Sequence, residues 1–569
     1  MQNRFPVPPR SVVAAALRSC RGAFLGIGLF SGMINILMLT GPLFMLQVYD
    51  RVLASRSVPT LVVLLGLVAV LYAFQGALDF IRSRLLLRIG NRLDRWLSDL
   101  VFDASTTMAL RGRKGGDGQQ PVRDLDQLRQ FLGGQGPVAI FDMPWMPLYL
   151  VIVFLFHTWL GILSVIGVFV LCTFALLTEF ATRGPTKIAV EKGAARNALT
   201  EAARRNIEVV TALGMTPAMK QRWVAAHGAF LDSGRSASDA AGGLTAASKT
   251  FRLLLQSLTL AAGAYLAIQQ EISAGAMIAV SIISSRALAP IELAIANWKG
   301  FVSARQSYRR LGDLAAALLR DEDRLVLPPP TSRLEVENLA VAPPGQQRPT
   351  LTGVIFSLAA GEAVGVIGPS GSGKSTLARA LVGAWPGSKG GVRLDGAALD
   401  QWAPHELGRH IGYLPQDIEL FDGTVAENIA RFRPDWTSEE VVAAATYAGA
   451  HDLIVRLPEG YGTRLGDGGI ALSAGQRQRI ALSRALYGDP FLIVLDEPNS
   501  NLDAEGDAAL TGAIRAARER GRIVVVIAHR PSALVAVDRV LVLADGRQQS
   551  FGPKEEVLGR VLKHPVAAA

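Results

Sequence analysis

Between Gly368 and Thr376 one lysine and four hydroxyls sit in a glycine-rich run: Gly368, Pro369, Ser370, Gly371, Ser372, Gly373, Lys374, Ser375 and Thr376. An apolar run, Ala363–Ile367, precedes it and a helix-prone segment begins at Leu377, so the order is strand, tight turn, helix N-terminus. In such a turn successive backbone N–H groups converge, and the positive end of the helix dipole points at the same spot. The chemistry that suits this geometry is phosphate binding. Lys374 would then reach the outer phosphates, and the Ser375 hydroxyl would ligate a magnesium ion. A plain flexible Gly/Ser loop has the same composition, so the rest of the chain has to decide.

Four further segments carry groups that fit the same chemistry. Phe491 to Pro498, FLIVLDEP, is an apolar strand ending in two acids. Asp496 can hold magnesium through water, and Glu497 can polarise an attacking water. His529 follows the apolar strand Ile523–Ile527, where an imidazole can reach a γ-phosphate. Gln416, in YLPQD, offers a side-chain amide to magnesium and water. Leu472 to Arg479 reads LSAGQRQR, and it brings Ser473, Ala474, Gly475 and Gln476 to the start of a helical segment.

The elements that must position these groups form an α/β pattern. From Leu334 onward short β-rich runs (Ala363–Ile367, Phe491–Leu495, Ile523–Ile527, Val540–Leu543) alternate with helix-like segments, which predicts a parallel sheet. Upstream the composition differs. The chain has 569 residues, 50% of them hydrophobic and only 19% charged. Its net charge of +10 fits an excess of Lys and Arg in cytoplasmic loops better than nucleic-acid binding, because no basic run is interleaved with aromatics. The two cysteines, Cys20 and Cys172, imply neither a disulfide framework nor a metal site.

Uncharged runs Gly22–Tyr49, Ser57–Leu78, Met143–Thr178 (long enough for two helices turning near His157–Trp159) and Leu253–Gln270, with the mostly apolar run Ile272–Ala296, predict six membrane spans with both ends inside. Asp50–Arg56 is expected to be a polar turn, Gly115–Gln120 a flexible loop, Pro144 and Pro147 a kink in the third span, and Gly214–Pro217 a break in a long cytoplasmic helix. His157 reads as a turn residue rather than a ligand. Asp142, Arg286 and Glu292 fall in or near spans: they either face a polar pathway or lie beyond the bilayer on extended helices. The expected domains are a cytoplasmic N-terminal segment, 1–21; a six-helix transmembrane domain with two long cytoplasmic loops, 22–320; a linker, 321–333; and the α/β domain, 334–569.

Residues from Leu334 to the end resemble an ABC-transporter ATPase domain, on the ordered set of phosphate loop, Gln416, LSAGQ, Asp496–Glu497, Ser500–Asp503 and His529. The resemblance implies ATP and Mg2+ as ligands, with Ser375, Gln416 and Asp496 around the metal and Glu497, His529 and Gln416 in catalysis. It also implies a homodimer, in which Ser473, Ala474, Gly475 and Gln476 complete the partner's phosphate loop and Asp503 belongs to the loop after the acids. Two positions depart from the family pattern: Ala474 replaces the first glycine of LSGGQ, and Ala342–Pro344 stand where an adenine-stacking aromatic is usual.

Asn35–Leu61 and Phe74–Arg84 are similar to type I secretion permease/ATPases of the protease- and haemophore-exporting branch, as is the expected lack of an N-terminal peptidase-like domain. That branch implies a bacterial inner-membrane protein in the lipid bilayer. Its implied partners are a periplasmic membrane-fusion adaptor, an outer-membrane tunnel protein and a secreted protein substrate that passes unfolded between two six-helix bundles. The segments Arg123–Leu132 and Arg204–Met215 are the expected couplers. An exporter of lipids or small amphiphiles with the same fold, or an ATP-gated channel, are the alternatives.

Overall fold

The computed structural model describes residues 12–110, 119–318, 327–346, 348–466, 470–528 and 531–563. They belong to two compact units, one reaching Asp321 and the other running on from Glu322.

The first unit is helical: α1 (Val12–Ser19), α2 (Arg21–Leu37), α3 (Thr40–Gln47), α4 (Val58–Leu110), α5 (Gln120–Gly133), α6 (Gly136–Asp142), α7 (Met146–Phe156), α8 (Thr158–Arg205), α9 (Ile207–Ala212), α10 (Thr216–Ile268), α11 (Ala274–Ala296) and α12 (Trp298–Leu318). Six of its helical stretches are long and apolar enough to cross a membrane. The first runs from Arg21 to Ser55 but is not continuous, breaking between α2 and α3 just before Gly41–Pro42. The expected polar turn at Asp50–Arg56 is instead helical: Val48–Val52 is a π-helical turn, Leu53–Ser55 a further turn, and the chain reverses at Arg56 in the left-handed region. The third span is interrupted by a 3-10 turn at Met143–Trp145, before Pro147. Gly214 (φ 62°) ends the break between α9 and α10. Most of the expected Gly115–Gln120 loop lies outside the described residues, and Gln120 itself opens α5.

The long helices continue past the bilayer, and their inner ends have a core of their own. On α4 the helical spacing buries Leu93, Leu97 and Val101, which pack with Val13 and Ala16 of α1, Leu125 and Leu128 of α5 and Leu311 of α12. Arg123–Leu132 is thus part of a packed helix, whereas Ile207, Val209 and Leu213 in the Arg204–Met215 segment are exposed.

Three polar ties cross the first unit. At the outer turns Asp50 accepts from the Ser273 hydroxyl (2.5 Å) and the Gly275 N–H (2.9 Å), capping α11 from the other end of the sequence. A Cβ on Gly275 would stand 2.6 Å from Asp50 Oδ1, so the approach needs glycine. His157 is the extended residue between α7 and α8. Its Nδ1 accepts from the Trp159 N–H (3.3 Å), which leaves Nε2 as the donor to Glu271 Oε2 at 2.7 Å. Deeper in, Arg82 donates to Asp142 (3.1 Å) and to the Ser31 hydroxyl (3.1 Å), Asn35 donates to Asp142 (3.0 Å), and Tyr149 donates to the Asn35 carbonyl (2.7 Å). All five residues are buried, so the first, second and third spans share one polar knot.

The second unit is built on a ten-stranded sheet. Its strands are β1 (Arg333–Val341), β2 (Leu351–Ala359), β3 (Ala363–Ile367), β4 (Lys389–Leu394), β5 (Ala397–Ala398), β6 (Ile411–Leu414), β9 (Leu492–Asp496), β10 (Ile523–Ile527), β11 (Arg539–Ala544) and β12 (Arg547–Pro553), while β7 (Gly423–Thr424) and β8 (Arg464–Leu465) form a separate pair. The spatial order is β5-β4-β1-β2-β12-β11-β3-β10-β9-β6. β11, β3, β10, β9 and β6 are parallel, as the sequence predicts. The sheet as a whole is mixed, because β1, β2 and β4 pair antiparallel on its other side. Alternate residues of the central strands enter opposite cores: Ile493, Leu495, Val524 and Val526 on one face, Leu492, Val494, Ile523 and Val525 on the other. Burial on both faces explains their unbroken apolar runs.

The polar knot is tested by charge removal. Arg82→Leu leaves the Asp142 carboxylate buried and uncompensated, and is expected to cost about 3–5 kcal/mol. The double variant Arg82→Leu/Asp142→Leu recovers most of that loss, read as the melting temperature of the purified full-length protein.

Candidate nucleotide site

The parallel strands end in register. Leu414 of β6 pairs with Leu495 of β9, Asp496 of β9 pairs with Ile527 of β10, and Ile527 pairs with Val366 of β3. Gln416, Asp496, Glu497 and Gly368 therefore lie together at the carboxyl edge of one sheet, where open α/β sheets bind ligands. His529 belongs to the same edge by sequence, two residues after β10, but lies outside the described residues.

The phosphate loop joins β3 to α13 (Lys374–Leu381), whose N-cap is Gly373 in the left-handed region. Gly368 must be glycine: a Cβ there would stand 2.0 Å from the Leu543 carbonyl oxygen. Lys374 Nζ donates to the carbonyls of Gly368 and Pro369, both at 2.8 Å, which holds its ammonium over the turn. Burial pulls the Lys374 pKa below the ordinary lysine range, against the opposing pull of Glu497 and Asp496. Ser372 Oγ, at the base of the turn, is buried with no hydrogen-bond partner. Thr376 faces Thr350 at 3.4 Å.

Ser375 Oγ lies 3.4 Å from Asp496 Oδ1, while Asp496 Oδ2 is buried without a partner. Burial pushes the Asp496 pKa up, with Ser375 and the nearby cations working the other way. An ionised carboxylate with one unmet oxygen beside a hydroxyl is a hard-oxygen site that suits a small divalent cation. Among the described residues no cluster of three or more His, Cys, Asp or Glu could hold a metal by itself. Oxygens from phosphate and water would have to complete the shell.

Glu497 follows with φ 52°, a left-handed conformation unusual for a residue with a side chain. Its N–H donates to the Ile527 carbonyl at 3.1 Å, so the turn is anchored to β10. The other brace comes from the LSAGQRQR segment, which forms α14 (Ala474–Leu486). Ser473 is its N-cap: the Gln476 N–H donates to Ser473 Oγ at 3.2 Å, and Gln476 Oε1 accepts from the Ser473 N–H at 2.9 Å. Ala474 occupies the first helical position and is exposed, so its methyl group meets no obstacle. Gly475 passes the following loop closely, and a Cβ would stand 2.9 Å from the Asn501 oxygen. Among the described residues no hydrogen bond joins Ser473–Gln476 to Gly368–Thr376 of the same chain.

Gln478, one turn further along α14, was not singled out by the sequence reading. It is buried, donates to the carbonyls of Pro498 and Glu497, and accepts from the Asn501 N–H at 3.0 Å. The signal was available, since Gln478 precedes buried Ala481 and Leu482 by three and four residues, and a polar side chain on a buried helix face must find partners. Beside it Arg479 pairs with Asp503 at 2.7 Å. Asp503 is the N-cap of α15 (Ala504–Glu519), and the Gly506 N–H and Arg479 hold its pKa below the usual carboxylate range. Gln416 is exposed, two residues beyond β6.

The buried carboxylate has a measurable cost. Folding raises the Asp496 pKa, so its ionisation opposes folding; the cost is absent below the ordinary carboxylate pKa and complete above the raised one. Without nucleotide or divalent cation, Asp496→Asn is expected to melt higher than the parent by about 2–4 °C, the shift that roughly 1 kcal/mol produces in a large domain. The difference should close as the pH is lowered in a thermal-unfolding series.

Comparison with known proteins agrees with both units. Residues 24–289 match the family model for the ABC transporter transmembrane region, and residues 351–500 match that for the ABC transporter. The chain is 56% identical over 550 residues to the type I secretion system ATP-binding protein PrsD of Rhizobium meliloti (strain 1021), which covers 97% of this chain and 94% of the relative. It is 30% identical over 537 residues to the cyclolysin secretion/processing ATP-binding protein CyaB of Bordetella pertussis, covering 93% of this chain and 75% of that protein. Among solved structures, a bacterial Atm1-family ABC exporter with ATP bound superposes with a TM-score of 0.84 over 97% of this chain and all of the other, at 24% identity, which speaks for the fold alone. With six membrane-spanning helices, a phosphate loop at the carboxyl edge of its sheet and identity of this degree across both units, the chain belongs to the ABC transporters, among the type I secretion ATP-binding proteins.

Proposed function

We propose that this chain is the inner-membrane motor of a type I secretion system, hydrolysing ATP to move unfolded protein substrates out of the cytoplasm. The observation that carries the reading is the identity to a type I secretion ATP-binding protein over nearly the whole length of both chains. The chain is a multi-pass membrane protein with an ATP-binding domain in the cytoplasm. On this reading residues 22–320 form the membrane part and 334–569 the ATPase, and the exporter belongs to the protease- and haemophore-exporting branch. A periplasmic membrane-fusion adaptor and an outer-membrane tunnel protein take the substrate onward.

In the ATP site, Gly368–Thr376 cradle the phosphates with backbone N–H groups, and Lys374 adds a charge at the outer phosphates. Ser375 and Asp496, with Gln416, would hold Mg2+, whose chemistry is to neutralise charge on the phosphate oxygens. Glu497 takes the proton of the attacking water, and His529 contacts the γ-phosphate. The carboxyl group of Glu497 is aimed by a backbone fixed at three points: the N–H on β10, the carbonyl on Gln478 and the left-handed φ. That fixation favours a general base, because proton transfer depends on geometry held before the reaction.

The second half of the site comes from another copy. Ser473 and Gly475 sit at the exposed start of α14, where backbone donors can meet an anion presented by a partner. A homodimer with two such sites follows, with Asp503 at the border between them. The exposed Ala474 leaves those donors free. With Ala342–Pro344 in place of an aromatic, base stacking is weak and purine selectivity low.

Two measurements test the reading. Glu497→Gln is expected to bind ATP but to lose hydrolysis by at least ~100-fold, in the range that removal of a general base produces; parental turnover would remove Glu497 from its role. Comparison of extracellular proteins with and without the gene should show the loss of one or a few; an unchanged set would sink protein export.

A further inference from the structure

Three ionisable residues were expected in or near the spans, and the fold compensates two of them. Asp142 sits in the knot with Arg82 and Asn35. Glu292 pairs with Arg252 at 2.6 Å, and the Arg252 guanidinium also donates to Ser285 (3.0 Å). Arg286 is different. It is exposed, and among the described residues it makes no hydrogen bond or ion pair. Counting from Ala274 at the outer end of α11, it stands about 18 Å into a hydrocarbon layer roughly 30 Å thick.

The surface around Arg286 does not look like a lipid-facing one. The other five spans turn large apolar side chains outward, such as Leu25, Val63, Leu155, Phe169 and Leu258. On α11 no large apolar residue is exposed. Its exposed positions are Ala274, Arg286, Ala289 and Ala296, and the half-buried Ile278, Ile282 and Leu293 fall in line with them at helical spacing. Against lipid, a mid-span arginine costs about 2.5–3.5 kcal/mol on insertion scales, and alanine recovers little of that. A second copy packed on this face would bury the charge, which is costly unless that copy brings an acid to compensate it. The acids within the spans are already engaged: Asp50 by Ser273 and Gly275, Asp79 and Asp142 by Arg82, Glu179 by Arg305 and Glu292 by Arg252. The Arg286 charge reaches Tyr149 of the third span, whose hydroxyl already donates to the Asn35 carbonyl, so water is what remains to satisfy the guanidinium N–H groups at this depth.

We propose that the open face of α11 borders an aqueous path through the membrane unit, and that Arg286 is its cationic contact, meeting side-chain and terminal carboxylates of a polypeptide in transit. The second half rests on the secretion reading above; the first half does not. A guanidinium is suited to this task because it pairs with passing carboxylates in water without holding them tightly.

The test uses the full-length chain in membranes. Cys20 is buried, whereas native Cys172 is exposed on the same outward side of α8 as Phe169 and Leu176, and it serves as the lipid-facing control. Arg286→Cys in a Cys172→Ser background should react with a membrane-impermeant trimethylammonium methanethiosulfonate at least ~10-fold faster than native Cys172, because the reactive thiolate forms readily only in contact with water. Equal rates, with full N-ethylmaleimide labelling after denaturation, would overturn the aqueous path. Among proteins that leave the medium when the gene is deleted, Arg286→Lys should keep secretion within ~2-fold. Arg286→Glu should lower it ~10-fold at equal membrane levels, since it puts like charge against passing carboxylates. Fast labelling with parental secretion by Arg286→Glu overturns the cationic contact and leaves the path standing. If no secreted protein depends on the gene, the labelling result still decides the path while the secretion reading fails.

Discussion

The candidate nucleotide site is organised around one buried carboxylate. Asp496 is held at the end of a strand buried on both faces, with one carboxylate oxygen beside Ser375 and the other without a partner. A protein tolerates such a cost where the missing partner arrives with function. The surrounding features serve to keep that carboxylate in place. β9 is flanked by β10 and β6, the phosphate loop bends back over the sheet edge through its glycines, and α14 braces the turn that follows. The fold holds one charge where it is poorly solvated, an arrangement that suits a cation carrying phosphate.

The membrane unit obeys the same rule with the opposite outcome. In hydrocarbon an ionisable group must be paired or hydrated. Asp142, Glu179 and Glu292 are paired near the inner ends of their spans, where the pairs fasten helices together. The knot of Ser31, Asn35, Arg82, Asp142 and Tyr149 draws on residues more than a hundred positions apart. It sets the first, second and third spans in fixed register where apolar packing alone would let them slide.

Much of this was legible in the sequence, for physical reasons that differ by region. The spans follow from long apolar runs with little or no charge, and the central strands from apolar runs that burial on both faces explains. Ordered motifs single out Lys374, Ser375, Asp496 and Glu497, which the fold brings to one sheet edge. The mixed character of the sheet was not read. β1 and β2 bury one face, and their pairing slips at Val336 and Leu339, which breaks the alternation that would mark them. The helical spacing of Gln478 against Ala481 and Leu482 marks it as buried, but its partners are main-chain groups of the Glu497–Asn501 turn, which leave no trace in a sequence pattern. The role of Asp50 was hidden for a similar reason: a charged residue before a reversal looks like a solvated turn, and its partner lies 225 residues away. The distinction among Asp142, Arg286 and Glu292 rests on which side chains meet, and spacing along one chain does not encode that.

The ties at the outer surface have a mechanical consequence. Asp50 links the first hairpin of spans to the third, and His157 with Glu271 links the second to the third. Within one chain all three reversals are therefore stitched together, and spreading them apart would break a helix cap and a charged hydrogen bond at once. The outer ends of the six spans in one chain therefore move as one piece unless these ties break.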